Sequence, residues 1–336
     1  MKKITVVLFI AFAFLCSLPV AINAAPTEIK IAVVMPEGST WTNTLHDFAD
    51  AVAKETQGEV AIKLYAGGVS GDEVDVLRKM RVNRLHAGGF SGVGLGMVLP
   101  EIRVLEAPLL FDSYEEVDYV KERMFDDFAA RFEEKGYVLL GFAEAGFVYL
   151  FSQRPLSSVA DLKQTKMWVW KGDRVAENFL EAFGVQGYPL QLADVNTGLD
   201  TGMIDSFYSP PLAAVAFQWY ARVRTILDFP MVNSTGALLM TKRAFYRLKP
   251  ENREIVSRLV KQYSAELVRL TRRDNDEAMQ VIQEAGIERI SPTSEQIASF
   301  QRSAKKNYEM SVPSLYSQEL LDRIRGLIAD YRAGKK

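Results

Sequence analysis

Few residues in this chain could make or break bonds. There are only two histidines, His46 and His86. A zinc site or a hydrolytic triad needs several convergent groups, and each histidine sits on an expected helix face or helix end, as an ordinary surface residue would. Cys16, the single cysteine, lies in an apolar N-terminal stretch, so the rest of the chain has no thiolate, disulfide or cysteine metal site. The run Gly88-Gly89-Phe90-Ser91-Gly92-Val93-Gly94-Leu95-Gly96 lacks both the G-x-G-x-x-G spacing after a first strand and a following Walker lysine. It reads instead as backbone that must bend beside a cleft. The carboxylate pairs Glu115-Glu116 and Asp126-Asp127 fall on amphipathic stretches and read as solvated helix faces. No catalytic residue, metal ligand or cofactor is therefore assigned, and no enzyme is expected.

The elements that could position a binding site begin after residue 24. Lys2 and Lys3, an apolar run from Ile4 to about Leu18, Pro19 and the small pair Ala24-Ala25 follow the order of a secretory signal. Residues 1–24 are thus expected to be a signal peptide and the protein to work in the periplasm, the alternative being an uncleaved anchor. A lipoprotein fits poorly, because Leu15 and Phe14 precede Cys16. The net charge of −2 comes without a basic block, which speaks against nucleic acid or an anionic membrane as partner. Roughly 310 residues remaining after processing suggest two lobes.

Ile29–Val34 has the branched apolar run of a buried strand, and Trp41, Leu45, Phe48 and Val52 recur at helical spacing. Val60–Tyr65 alternates like a strand, and Asp72 caps a helix running to about Arg84. A second unit follows: strands over 137–142, 148–152 and 166–170, then a helix from Asp173 to Gly184. Residues 193–201 form a shorter helix with an extended stretch over 204–208. From Pro250 to Ala285 no proline or glycine interrupts, so one helix of about 50 Å is expected, unless it breaks into two. This is an α/β chain with parallel strands.

Specific segments sharpen the outline. Leu64 to Glu73, Leu105-Glu106-Ala107-Pro108-Leu109-Leu110-Phe111 with Ser113 to Glu116, Asp161-Leu162-Lys163, Asp194-Val195, Gly202-Met203-Ile204-Asp205 and Phe245 to Pro250 resemble, in order, the receptors of TRAP transporters (DctP-type). Each motif is weak alone; the ordered set covers nearly the whole mature chain. The resemblance implies a two-lobed periplasmic binding protein with a long C-terminal helix spanning both lobes. It implies lobe I over 25–147 plus about 236–265, and lobe II over 148–235 plus about 266–336. It also implies a small-molecule ligand and a membrane permease as partners.

Members of that family hold organic acids with a bidentate arginine on the strand after the Asp-Leu-Lys segment. Here Trp168 stands in its place, within Lys166-Met167-Trp168-Val169-Trp170. A second family arginine is replaced near Val148, and Phe207 and Tyr208 follow Asp205-Ser206 where a polar pair is expected. Strand alternation puts Lys166, Trp168 and Trp170 on one face. A carboxylate buried without a partner costs several kcal/mol, whereas an aromatic wall favours an apolar or flat ligand. The expected ligand is therefore largely hydrophobic, with a polar end reaching Lys166, Tyr208 or an indole N–H. The candidate lining is Trp41, Phe90, Val148, Lys166, Trp168, Trp170, Leu192, Phe207 and Tyr208; Trp219 and Tyr220 read as helix packing. The chain resembles the branch that lacks the arginine and works with a tetratricopeptide-repeat partner. Three other readings stay open: an organic-acid receptor using Lys166, Lys171 or Arg174, an exported enzyme, and a sensor module.

Overall fold

The computed structural model describes residues 25–334; the expected signal over 1–24 lies outside them. Nine strands form one sheet among these residues: β1 (Thr27–Ala32), β2 (Val60–Tyr65), β3 (Ala87–Ser91), β4 (Tyr137–Ser152), β5 (Met167–Trp170), β6 (Gly187–Leu190), β7 (Ser206–Ser209), β8 (Thr225–Thr241) and β9 (Glu288–Ile290). Their order is β2-β1-β3-β8-β4-β7-β5-β6, with β9 added to the far end of β8. At one end β1 runs parallel to β2 and β3, and at the other β5 runs parallel to β6 and β7. The long antiparallel pair β4 and β8 joins them, each strand giving one end to each half of the sheet.

The helices follow local signals in the chain. Ser39 caps α1 (Thr40–Glu55), and Asp72 caps α2 (Glu73–Arg81). Ser91 caps α3 (Gly92–Val98), and Ser113 caps α4 (Tyr114–Glu134). Asp161 and Ser158 form a capping box on α5 (Val159–Leu162). Asp173 opens α6 (Arg174–Phe183), and Gly184, at φ 68°, closes it as expected. The rest are α7 (Val195–Asp200), α8 (Pro211–Ala216), α9 (Lys242–Arg247), α10 (Pro250–Glu284), α11 (Ser294–Ser311) and α12 (Gln318–Gly334). One apolar core lies under α2, α4 and α12, a second under α1 and the start of α10, and two more fill the β5–β7 half.

The unbroken run from Pro250 is one helix of 35 residues, which contacts α1 and β4 as well as α8. It is pinned midway. Arg272 pairs with Glu144 on β4 at 2.7 Å and with Asp118 on α4. Asn275 donates to the Ala145 carbonyl and accepts from the Leu212 amide. The two strands expected over 137–142 and 148–152 are one strand, β4. Their separation in the sequence marks a bend: pairing with β8 slips between Glu144 and Gly146, and Gly146 has φ 102°, a backbone state only glycine adopts without strain.

Candidate functional site

A cavity of about 180 Å³ lies where the two halves of the sheet meet. Trp41, at the start of α1, and Phe90, on β3, contribute one wall; Val148 and Leu150 of β4 and Ser234, Thr235 and Gly236 of β8 cross beneath. Trp168 and Trp170 of β5, Tyr208 of β7 and Leu192, just after β6, form the opposite wall. These aromatics pack as a group. The Trp168 ring stacks on Tyr208 at 5.2 Å and on Trp170 at 6.3 Å, and meets Trp219 edge-on at 5.2 Å. Such contacts stabilise beyond area burial alone. The Trp168 indole N–H donates to the Leu190 carbonyl, so its polar atom is satisfied and its faces are left apolar.

The cavity reaches both faces of the sheet. Met167 and Trp168 point to opposite sides, yet both line it, one beside Phe179, Leu180 and Met231, the other beside Phe217, Trp219 and Leu212. Pairing of β5 with β7 is confined to Met167 opposite Ser206. Past that point the Tyr208 hydroxyl stands between the strands, accepting the Trp170 amide at 3.2 Å.

Two of the expected lining residues lie elsewhere. Lys166 precedes β5, and its ammonium donates to the Gly202 carbonyl at the solvent-exposed end of the strand; a strand rises about 3.3 Å per residue, which sets it about 13 Å from Trp170. Phe207 is turned by the two-residue repeat away from Tyr208 and is stacked at 4.8 Å on Phe151 in the core. The alternative cations Lys171 and Arg174 are also exposed and outside the cavity, Arg174 lying 3.6 Å from Glu177. Trp219, read as helix packing, packs against Trp168 and also lines the cavity. Of the candidates, Trp41, Phe90, Val148, Trp168, Trp170, Leu192 and Tyr208 come together.

The cation that does reach the cavity is Arg103, which the sequence reading missed. It lies in a short 3₁₀ helix, Pro100–Glu106, and is 5% exposed. Its Nη2 donates to Asp173 Oδ1 at 2.6 Å, and its Nε lies 2.8 Å from Glu106 Oε2. Asp173 Oδ2 also accepts the Tyr208 hydroxyl at 2.7 Å, and Glu106 Oε1 accepts the Thr235 amide at 2.8 Å. Burial alone would weaken the guanidinium's hold on its proton, but Asp173 and Glu106 outweigh it and keep Arg103 charged. Burial raises the Glu106 carboxyl above its usual range, with Arg103 opposing, and raises the Tyr208 phenol, with Asp173 adding to the effect. A second link between the halves runs from the Trp170 indole N–H to Asp72 at 3.0 Å.

Glu73 completes the charged set. Its carboxylate accepts the Ser91 amide, the Ser91 hydroxyl and the Gly94 amide, all within 2.9 Å. The glycine run has a use here that phosphate binding does not explain. A Cβ at Gly92 would collide with the Glu106 carboxylate, and one at Gly94 with that of Glu73. Burial pushes the Glu73 carboxyl up to about 7. The folded state then holds a proton that the unfolded chain, at an ordinary 4.5, has released. This contribution is full below about pH 4.5 and fades as pH rises through 7, a loss on the order of 3 kcal/mol. Urea denaturation at pH 5 and pH 8 should show a smaller fall in stability for Glu73→Gln than for the wild type; parallel curves would rule the shift out.

Among the described residues no cluster of histidine, cysteine and carboxylates is placed to hold a metal ion. His46 pairs with Glu37 on the surface, and His86 accepts the Lys30 amide.

Two halves of a shared sheet, a cavity between them and a long helix touching both define a solute-binding receptor. The match of residues 31–314 to the bacterial extracellular solute-binding proteins of family 7, the DctP family, agrees. The chain belongs to that family of TRAP-transporter receptors, which hand small molecules to membrane subunits. A solute-binding protein of Chromohalobacter salexigens is 27% identical over 163 residues, a match spanning 48% of either chain. The 2,3-diketo-L-gulonate-binding periplasmic protein YiaO of Escherichia coli is 25% identical over 250 residues, 72% of this chain and 74% of that one. A TRAP solute-binding protein of Xanthobacter autotrophicus, solved with β-D-galacturonate, superposes with a TM-score of 0.82 at 23% identity, covering 89% of this chain and 99% of that one.

Proposed function

We propose that this protein is a periplasmic TRAP receptor for a small, largely hydrophobic ligand without a carboxylate, which it captures in the aromatic cavity and delivers to a membrane permease. Trp168 carries the reading: an apolar indole face, its N–H already used, stands where the family's acid-binding arginine is expected. Arg103 is the only cation lining the cavity among the described residues, and two carboxylates already surround it. An acid ligand would be desolvated here without a partner of its own. The volume is similar to that of an apolar cavity of about 150 Å³ that takes up benzene, which suits a small aromatic or branched aliphatic body.

Lobe I is assigned to 25–147 plus about 236–265 and lobe II to 148–235 plus about 266–336, closing about the bend in β4. Residues 1–24 act as the export signal. The missing arginine also favours the branch that works with a tetratricopeptide-repeat partner.

Two of the relatives named above, those of Escherichia coli and Xanthobacter autotrophicus, are named or solved with sugar acids, and so the test must separate cargo classes. Native mass spectrometry of gently extracted protein should find a neutral or basic, mainly apolar small molecule. Co-purification of a sugar acid or dicarboxylate would sink the reading.

A further inference from the structure

The pairing of Arg103 and Asp173 crosses the cavity. Arg103 comes from the segment after α3, in the half built on β1–β3, and Asp173 from the loop that opens α6, in the half built on β5–β7. Both side chains are almost fully buried. Where a cation on one wall faces a bare opposite wall, the ligand must bring the anion that joins the two. Here the chain itself brings it.

We propose that Asp173 is a built-in counter-ion that occupies, on Arg103, the position an acid ligand's carboxylate would otherwise take, making Asp173 the residue that excludes acids from this cavity. The proposal rests on the reading of the site as a receptor for non-acidic ligands and names the residue that enforces it. Asp173 is held in this role from three sides, by Arg103 Nη2, by the Tyr208 hydroxyl and, at 3.2 Å, by the Ala176 amide at the start of α6. Glu106 lies against Nε of the same guanidinium at 2.8 Å. Asp173 and Glu106 set two carboxylates against one guanidinium in the cavity lining, so an incoming anion meets a surplus of like charge, to which Glu73 adds only above about pH 7. The Thr235 hydroxyl, 1% exposed and on the cavity wall, has no protein partner. It offers a neutral or cationic ligand group one hydrogen bond, as acceptor or donor.

The experiment uses Asp173→Ser, which keeps a side chain able to cap α6 while removing the charge. Thermal shifts of the wild type and the variant are measured at pH 8 with three probes sharing a phenyl body, 2-phenylethanol, 2-phenylethylamine and phenylacetate, and with galacturonate. The wild type should respond to the alcohol or the amine and to neither acid. The variant should bind at least one acid about tenfold or more tighter than the wild type does. Glu106→Gln, which keeps an acceptor for the Thr235 amide, should shift acid binding the same way to a smaller extent, and serves if Asp173→Ser fails to fold. Identical responses of wild type and variants to every acid, including none at all, would overturn the proposal. Wild-type binding of the acids but not of the alcohol or amine would instead overturn the functional reading beneath it.

Discussion

Replacing Arg103 by methionine should lower the folding free energy by about 3–5 kcal/mol at pH 8, the usual cost of removing one partner from a buried ion pair. The loss comes from what is left behind. Glu106 and Asp173 are each about 95% buried, and both would face the cavity with no cation between them. The remedy open to the protein is protonation. Burial already raises the Glu106 carboxyl, and Arg103 is what opposes it; without Arg103 the rise is larger. The folded variant would then bind a proton that the unfolded chain releases above about pH 4.5. Its deficit relative to wild type should therefore be smaller at pH 5 than at pH 8. Urea denaturation at the two pH values gives the comparison. A deficit below about 1 kcal/mol, or one independent of pH, would show that the cluster is solvated in solution.

Trp168→Ala is the second large effect. Trp168 is 2% exposed and packs against Trp170, Tyr208 and Trp219. Truncation of a buried tryptophan costs about 3–5 kcal/mol; because one side of the ring already faces a cavity, a value near the lower end is expected. Trp168→Phe should recover part of it, since a phenyl ring still stacks on Tyr208 although the bond to the Leu190 carbonyl is lost. Ligand binding should fall in the same order, wild type above phenylalanine above alanine, read by intrinsic fluorescence or calorimetry with whatever molecule co-purifies. An alanine variant that folds and binds like wild type would put the indole in a merely structural role.

How much of this was legible in the sequence depends on how local the signal was. Caps and stops were readable because a single residue decides them: Asp72, Asp173 and Gly184 mark helix ends in the chain and in the structure. The 35-residue helix was readable for the same reason, an unbroken stretch after Pro250. Strand β8 was not. Pro230, Asn233, Ser234 and Gly236 interrupt it, and its pairing with β3, β4 and β9 is entirely long-range. Within the site, Trp168 was found through family register and Trp170 by strand alternation, while Trp219 was missed; Lys166 was misplaced by trusting alternation past the strand's end, and Phe207 by carrying over an adjacent family pair whose two members face opposite sides of a strand. Arg103 carries no motif of its own, and with Glu106 three residues on it has the spacing of an ordinary surface pair. Their neighbours carried the clue: Ile102, Val104 and Leu105 are all apolar and all buried, which leaves that short segment no solvent-facing side.

The position of β8 has a consequence for how the molecule can be assembled. It lies between β3 and β4, so every residue from 25 to 224 can be present while the centre of the sheet is still an open seam. Strands β3 and β4 pair with opposite edges of the same stretch of β8, from Gly236 to Met240, so neither has its central partner until that stretch arrives. Contacts of such wide sequence separation form slowly. The sheet can therefore be completed only once the last third of the chain is present.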